Sequence, residues 1–465
     1  MSRTLAIAWL AFREGIRMRV VLVAIVVLIF LVLRLPFALR GDDTLAGRLQ
    51  NFLAYSLTAL SIFLSLAAIF LSCATLTNEI KSCSIHTVVT KPISRFQIVA
   101  GKWLGVNLLN VLLVVLCGTA IYGLARFIAG RPEQFARDRL KVRDVVWTAR
   151  VAATPARPDF SEPAEAYVQQ RIKAGELPPE RRRQAVVQRV RELGNDWQRI
   201  PRGLSRAYRF DNLTPPERED TVVQVSYRLR ATPMPPDEML RAAWLFVDPD
   251  TGRWLMWEPK ITEGRMGDTH EFLVWAGRVV NENGSAVLVV SNLTPGPLGR
   301  QSYIYFDGDG ALQVLYQVGS FEANLVKALL LVVFRVAFIS AVGVFFSTFV
   351  SFPVACFCTL TIFLICLGLP WWMESIGANL EIRTDEVDPY GRWGPYVRAV
   401  LVPVLSVLFP DFVRYDAAGQ LVGGQYITYG LVVRAFVHTV VFGCVLVLGI
   451  GWLVFRAREI AAVTV

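Results

Sequence analysis

Charge is scarce in this chain: Asp, Glu, Lys and Arg together make up only 18% of its 465 residues. Its three histidines stand far apart, which leaves no local cluster of metal ligands. No cysteine occurs between Cys117 and Cys356, so no disulfide framework holds the long polar stretch between them. Cys356-Phe-Cys358 sits inside an apolar run without other metal-ligating residues. A Gly-x-x-x-x-Gly-Lys-[Ser/Thr] loop is also missing. The Gly101-Lys102 pair has Phe96 where the first glycine belongs and Trp103 where the hydroxyl belongs, so the chain has no recognisable phosphate cradle of its own. No cleavable signal peptide is expected, because the first apolar run ends at Arg34-Leu-Pro36 without a small-residue cleavage pattern.

What the chain has in quantity is apolar sequence, 54% of its residues, with a mean hydropathy of +0.44. That is too apolar for an ordinary soluble enzyme. Runs of about 20 apolar residues imply membrane spans. The net charge of +10 does not point to nucleic acid, since Lys and Arg divide between span-flanking positions and one polar domain. Six spans are expected: 20–37, 52–76, 103–125, two within 328–373, and 427–455. As one helix, 328–373 would be about 69 Å long at about 1.5 Å per residue, more than twice a hydrocarbon core of about 30 Å. It must fold back, and Ser351-Phe352-Pro353 is the natural break. Before the first span, residues 1–19 read as an amphipathic interfacial helix with Trp9, Phe12 and Ile16 on one face. Residues 41–50 read as a short polar loop, and 395–409, interrupted by Pro403, as a re-entrant or interfacial segment.

Basic residues gather at the two termini and between spans two and three, whereas the 374–426 loop is richer in acid. The positive-inside rule therefore makes both termini cytoplasmic and residues 131–320 extracytoplasmic, in a cytoplasmic (inner) membrane. The cytoplasmic loop 78–102 carries Glu79, a short apolar stretch with Ile85, Val88 and Val89, then Pro92, Ser94 and Arg95, and finally Gly101-Lys102 opening the third span.

This order of features resembles the cytoplasmic coupling segment of ABC type-2 transporter permeases. In that family an acidic residue leaves helix two, a short apolar helix follows, then Pro-x-Ser-Arg, then Gly-Lys. The family often has a Gly-Thr-x-x-x-Leu-Leu element where this chain has residues 82–89. The Pro-containing 402–430 stretch is similar to the outer-leaflet region of permeases of the nitrous-oxide-reductase maturation type. The resemblance implies a membrane permease subunit of an ATP-binding-cassette transporter, moving an unidentified substrate, with export the expected direction. It implies no enzymatic activity and no cofactor on this chain: ATP and Mg belong to a partner ATP-binding subunit. A second permease copy or a homologous permease is the other expected partner, with lipid around both and no nucleic acid. Glu79, Ile85, Val88, Val89, Pro92, Ser94, Arg95, Gly101 and Lys102 would form the contact with the ATPase.

Residues 131–320 lie outside the usual family pattern. Their short alternating runs (142–151, 204–210, 221–231, 242–247, 254–257, 270–280, 286–290, 303–306 and 312–318) read as strands of a β-sandwich-like domain, with a helical insertion at 162–200. Asp307-Gly-Asp-Gly310 reads as a hairpin turn rather than a calcium loop, because Ala311 and Val318 stand where oxygen ligands would be needed. No nucleophile, acid–base pair or metal set is evident there. A membrane-anchored binding or sensory protein is the rival reading of the whole chain, although six spans are excessive for an anchor.

Within the spans, Thr58, Ser61, Ser65, Ala68, Ser72 and Thr75 form a small, hydroxyl-bearing seam suited to close helix packing or to a polar pathway. Arg335 lies inside the fourth span, and Arg434 and His438 share a face of the last. Ionisable groups at that depth are expected to face the bundle and pair, here with Glu322, Glu374 or a carboxylate of the 374–426 loop.

Overall fold

The structure is a computed structural model. It describes residues 3–18, 44–82, 93–130, 136–215, 221–235, 237–296, 302–308, 310–382, 403–416 and 418–457, together with Val23, Val26, Val27, Phe30 and Arg34. The expected first span, 20–37, thus falls outside the described residues apart from those five positions. So do 83–92 and 383–402. The chain divides into two compact units, Met1–Trp147 with Ser320–Val465, and Thr148–Gly319.

The first unit is helical: α1 (Arg3–Arg17), α2 (Leu45–Lys81), α3 (Arg95–Ala129), α4 (Phe321–Ser347), α5 (Phe352–Ile382) and α6 (Tyr429–Ala457). Among the described residues, five helices, α2 to α6, are long and apolar enough to cross a membrane. Two boundaries correct the sequence reading. Residues 45–50, expected as loop, form the start of α2, because Thr44 accepts a hydrogen bond from the Gly47 amide at 3.0 Å and Leu45, Ala46 and Leu49 are buried. Helix α3 begins at Arg95, well before Trp103. Ser94 and Gln97 form a reciprocal capping box there, at 3.2 and 3.1 Å, and Ile98 and Val99 are buried in the next turn. The break at Pro353 is where it was expected: α4 ends at Ser347 and α5 starts at Phe352. Proline in the first turn of α5 removes an amide that has no intrahelical partner anyway.

Helix α2 is the most enclosed of the spans, with 67% of its most apolar window buried, against 28% for α5 and for α6. Its seam explains why. A Cβ on Gly343 of α4 would collide with the Ser72 hydroxyl, so the two backbones approach closely only because position 343 is glycine. The seam hydroxyls turn inward to their own helix: Ser65 donates to the Ser61 carbonyl at 2.7 Å, Ser72 to Ala68 at 2.6 Å, and Thr75 to Leu71 at 2.5 Å. Thr58 does not join them and is exposed.

The second unit holds ten strands, the last of which ends on the first residue of the membrane unit: β1 (Thr148–Ala153), β2 (Arg199–Pro201), β3 (Ser205–Phe210), β4 (Val222–Thr232), β5 (Met239–Val247), β6 (Lys260–Arg265), β7 (Thr269–Trp275), β8 (Ala286–Asn292), β9 (Tyr303–Phe306) and β10 (Leu312–Ser320). One sheet runs β1-β10-β4-β9-β2 with β7 on the other edge of β4; the second runs β3-β8-β5-β6. Their inner faces share one core, where the Tyr227 and Trp244 rings lie 4.3 Å apart and Tyr208, Phe210 and Phe246 are fully buried. Helices Ser161–Lys173 and Arg182–Gln198 are inserted between β1 and β2.

Four local expectations change. Residues 142–146 form a π-helical turn, and the strand starts only at Thr148. Residues 254–257 make a single bridge, from Trp254 to Val247, while the strand β6 follows at Lys260 with an alternation too polar to be noticed. Residues 276–279 are a helical turn after β7. Asp307–Gly310 is no hairpin. Strands β9 and β10 pair consecutively with one edge of β4, Phe306 opposite Leu229 and Leu312 opposite Tyr227. The residues between them form an excursion from a single line of pairing, closed by Asp307 N to Arg228 O at 3.2 Å and Arg228 N to Ala311 O at 2.7 Å. Glycine is needed at 308 and 310, where φ is +94° and +79°.

Candidate coupling site and intramembrane cations

Lys102 occupies the second turn of α3, and only 2% of its side chain is exposed. Its ammonium donates to Glu79 Oε1 at 2.6 Å and to Glu14 Oε2 at 3.3 Å. Glu79 closes α2 and Glu14 lies in the last turn of α1, so one ammonium ties three helices together. A lysine removed from water persists only when its charge is compensated, and two carboxylates do that here. The backbone geometry supports the ion cluster. A Cβ on Gly101 would stand 2.8 Å from the Ile7 side chain, and one on Gly105 would run into the Ala8 carbonyl. Gly101 and Gly105 therefore let α1 lie against α3 along the face made by Ile7, Ala8, Ala11 and Gly15, all buried. Trp9 and Ile16, two of the residues expected to define the face of α1, are exposed on the opposite side.

Arg95 ties a further element into the same region. Its Nη1 donates to the Phe455 and Arg456 carbonyls at 2.6 and 2.9 Å, and its guanidinium lies 5.7 Å from the Phe455 ring centroid. A cation on the closing carbonyls of α6 satisfies groups that the helix cannot satisfy itself. Residues 79 and 95–102 therefore form a bracket at the two stems of the loop, with Ser94 as the cap of the second stem. Ile85, Val88, Val89 and Pro92 lie between the stems, outside the described residues.

Arg335, midway along α4, is 9% exposed. One guanidinium nitrogen bonds the Ser61 hydroxyl of α2, and the other donates to the Phe412 carbonyl at 2.7 Å. The Phe412 ring lies 5.2 Å from the guanidinium. Lys327, two turns earlier, donates to the Ile427 carbonyl at 3.0 Å and stands 3.8 and 4.0 Å from the ring centroids of Tyr426 and Tyr429. Asn324 completes the row, giving to the Gln425 carbonyl at 2.7 Å and accepting from the Ile427 amide at 2.8 Å. The hydrogen bonds of Arg335 go to a hydroxyl and a carbonyl, while Asp416, a carboxylate of the 374–426 loop, attracts it at longer range. Glu322, one of the suggested partners, accepts instead from the Tyr122 hydroxyl at 3.0 Å. His438 holds the same irregular segment from α6, with Nδ1 3.0 Å from the Tyr415 hydroxyl and Nε2 3.1 Å from the Val407 carbonyl. Arg434 is exposed and reaches this network only through a longer-range electrostatic effect on Tyr415.

Residues 5–136 match the family model described as ABC-2 family transporter protein. The α1–α3 segment is of the ABC-2 transporter family. No match is found among curated proteins or among solved structures. The match and the five helices of membrane-crossing length among the described residues support a multi-pass membrane protein of the ABC transporter permease class. All three members of the ion cluster, Glu14, Glu79 and Lys102, lie within the ABC-2 segment, as do Gly101 and Gly105.

Three features of the helical unit are not evident from the sequence reading. Glu14 was overlooked because a lone acid on a basic amphipathic helix looks like part of a solvated face. The helix contact was legible in principle: Gly101-x-x-x-Gly105 and the Ala8, Ala11, Gly15 series are small-residue spacings of the kind that bring helices together. Lys327 was missed because the fourth span was started at Ala328, whereas α4 is capped by Ser320 and begins at Phe321.

Proposed function

We propose that this chain is the membrane-spanning subunit of an ATP-binding-cassette exporter, driven by ATP and Mg bound on a separate subunit. The observation that carries the reading is the bracket around Lys102, set within the segment that matches the ABC-2 family. A transporter without its own nucleotide site must receive work through a contact that does not yield. The two stems of the 83–92 loop are fixed to each other by Glu79 and Lys102, to α1 by Glu14, and to α6 by Arg95. Force applied to the loop then reaches four helices at once, where an unbraced loop would simply bend.

In this reading Ile85, Val88 and Val89 enter a groove on the ATPase, with Pro92 and Ser94 setting the exit into α3. The charges at 79, 95 and 102 act by holding the loop's stems. Both termini and the loop face the cytoplasm of a cell whose inner membrane holds the chain, and residues 131–320 are extracytoplasmic. The segment around 403–428, held to α4 by Arg335 and Lys327, belongs to the outer leaflet, as in permeases of the nitrous-oxide-reductase maturation type. A second copy or a homologous permease completes the pathway, since the seam of Ser61, Ser65 and Ser72 is consumed by packing within one copy.

The test is assembly in native membranes. The tagged chain should co-purify with an ATP-binding-cassette subunit, and Ile85→Asp or Val88→Asp should release that subunit while the chain still inserts and stays folded. Truncating an anchor buried at an interface commonly costs at least about 2 kcal/mol. Aspartate variants that retain full association and transport would overturn the coupling assignment.

A further inference from the structure

The β-rich unit contains a cavity of about 270 Å³ whose walls include Arg157, Trp197, Tyr208, Phe306, Gly308 and Gly310. Trp197 and Phe306 each meet the Tyr208 ring edge-on, with centroids 5.2 Å apart in both pairs. Tyr208 itself is 1% exposed, and its hydroxyl is buried with no hydrogen-bond partner among the described residues. Burial pushes that phenol above its ordinary pKa, so it stays a neutral donor. A buried hydroxyl left unpaired is costly, and such groups in folded proteins call for an explanation. Arg157 contributes a guanidinium without an ion pair or hydrogen bond among the described residues, brought against the helix Arg182–Gln198 at Gly194, where a Cβ would lie 2.8 Å from its Nη2. Gly308 and Gly310 supply a further part of the wall. Gly308 there has open space around its Cβ position, and Asp309 lies outside the described residues.

We infer that this cavity is a binding site for a small ring compound carrying a carboxylate. Aromatic walls accept a ring, the guanidinium accepts the carboxylate, and the Tyr208 hydroxyl gains the partner it lacks. Two sources supply that chemistry, an acidic sugar and an aromatic acid. The site goes beyond the transport reading and does not depend on it.

The experiment uses the full chain in lipid nanodiscs, with D-glucuronate, benzoate and uncharged glucose as probes in isothermal titration. Saturable binding of glucuronate or benzoate, with glucose at least about tenfold weaker, is expected; whichever acid binds tighter identifies the source. Arg157→Gln should weaken the acid by about tenfold or more, and Tyr208→Phe by about three- to tenfold, the range for charged and neutral hydrogen bonds. Thermal unfolding of each variant checks that the fold persists. Failure of both acids to bind at millimolar concentration overturns the proposal. So does binding that neither substitution changes, or a Tyr208→Phe variant that gains thermal stability with unaltered binding, since the hydroxyl would then be merely unsatisfied.

Discussion

Lys102 and Arg335 are both cations enclosed by apolar helices, and the protein compensates them by opposite means. Lys102 meets two carboxylates directly. Arg335 and its neighbour Lys327 make their direct contacts with carbonyls, a hydroxyl and aromatic faces, and the nearest carboxylate acting on Arg335, Asp416, does so only at longer range. The difference follows from what each cation holds. Lys102 joins regular helices, whose backbone groups are already paired with one another, so only side chains remain to bind it. Arg335 and Lys327 face the irregular stretch around 412 and 427, which has free carbonyls to offer. Irregular backbone survives at membrane depth only where protein donors or water satisfy it. The cations of α4 provide such donors, and the carbonyl dipoles solvate the cations in return. One region is a lock between helices; the other is a mutual solvation of charge and loop.

The contrast predicts unequal losses. Lys102→Met removes the buried ammonium shared by Glu14 and Glu79, and removing one partner of a buried pair commonly costs about 3–5 kcal/mol. Glu14 is 37% exposed and can be rehydrated, so the low end, about 3 kcal/mol, is expected. Thermal unfolding in nanodiscs measures it, and adding Glu79→Gln to Lys102→Met should cost less than the two single losses combined. Strict additivity would mean that the lock does not act as a unit.

Arg335→Lys comes next, at about 2 kcal/mol, because a lysine cannot span Ser61 and Phe412 with one fork. Hydrogen exchange at 411–416 should rise while the α1–α3 contact stays as it was. If exchange rises equally in both regions, the two cation sites are not separate devices.

How much of this was legible in the sequence depended on whether a feature was local. The Pro353 break, the turn-bounded strands β3 to β5 and β7 to β10, and the burial of Arg335 are written in runs and single residues. The start of α3 was also local, in Ser94 and Gln97, but hydropathy alone drew the boundary at Trp103. The partners of Lys102 and Arg335 were not legible. Glu14 is 88 residues away from Lys102 along the chain, and Phe412 is 77 from Arg335. A backbone carbonyl, moreover, leaves no mark in the sequence, so a search for carboxylates was bound to pass over it. Strand β6 failed for a different reason: exposed on most of its length, it lacks the apolar alternation by which strands are recognised.

Gly105→Ala tests the lock's geometry without touching its charges. The new Cβ would press on the Ala8 carbonyl and stand 2.7 Å from the Ala11 Cβ, neither of which is the end of a flexible side chain. Overpacking of this kind costs about 1–3 kcal/mol, and the strain should push α1 off α3. Disulfide cross-linking between cysteines placed at Ala8 and Leu104 should fall in that variant. Cross-linking that persists unchanged would show that the glycine is not what sets the approach.

The smallest effect belongs to the aromatic faces around Lys327, and it separates cation–π attraction from ordinary burial. Tyr426 lies 3.8 Å from the ammonium by its ring centroid. Its hydroxyl makes no hydrogen bond among the described residues, so Tyr426→Phe keeps the face presented to the cation and should leave stability unchanged. Tyr426→Leu keeps apolar bulk but removes the ring quadrupole, and should cost about 0.5–1 kcal/mol, or toward about 2 kcal/mol if the ammonium is well desolvated. Lys327→Met must be made alongside, because in its absence the attraction has no cation to act on. On that background Tyr426→Leu should cost less than in the parent by the cation–π share. An equal cost on both backgrounds would assign the Tyr426 ring to packing, and Lys327 would then be held by the Ile427 carbonyl and the Tyr429 face.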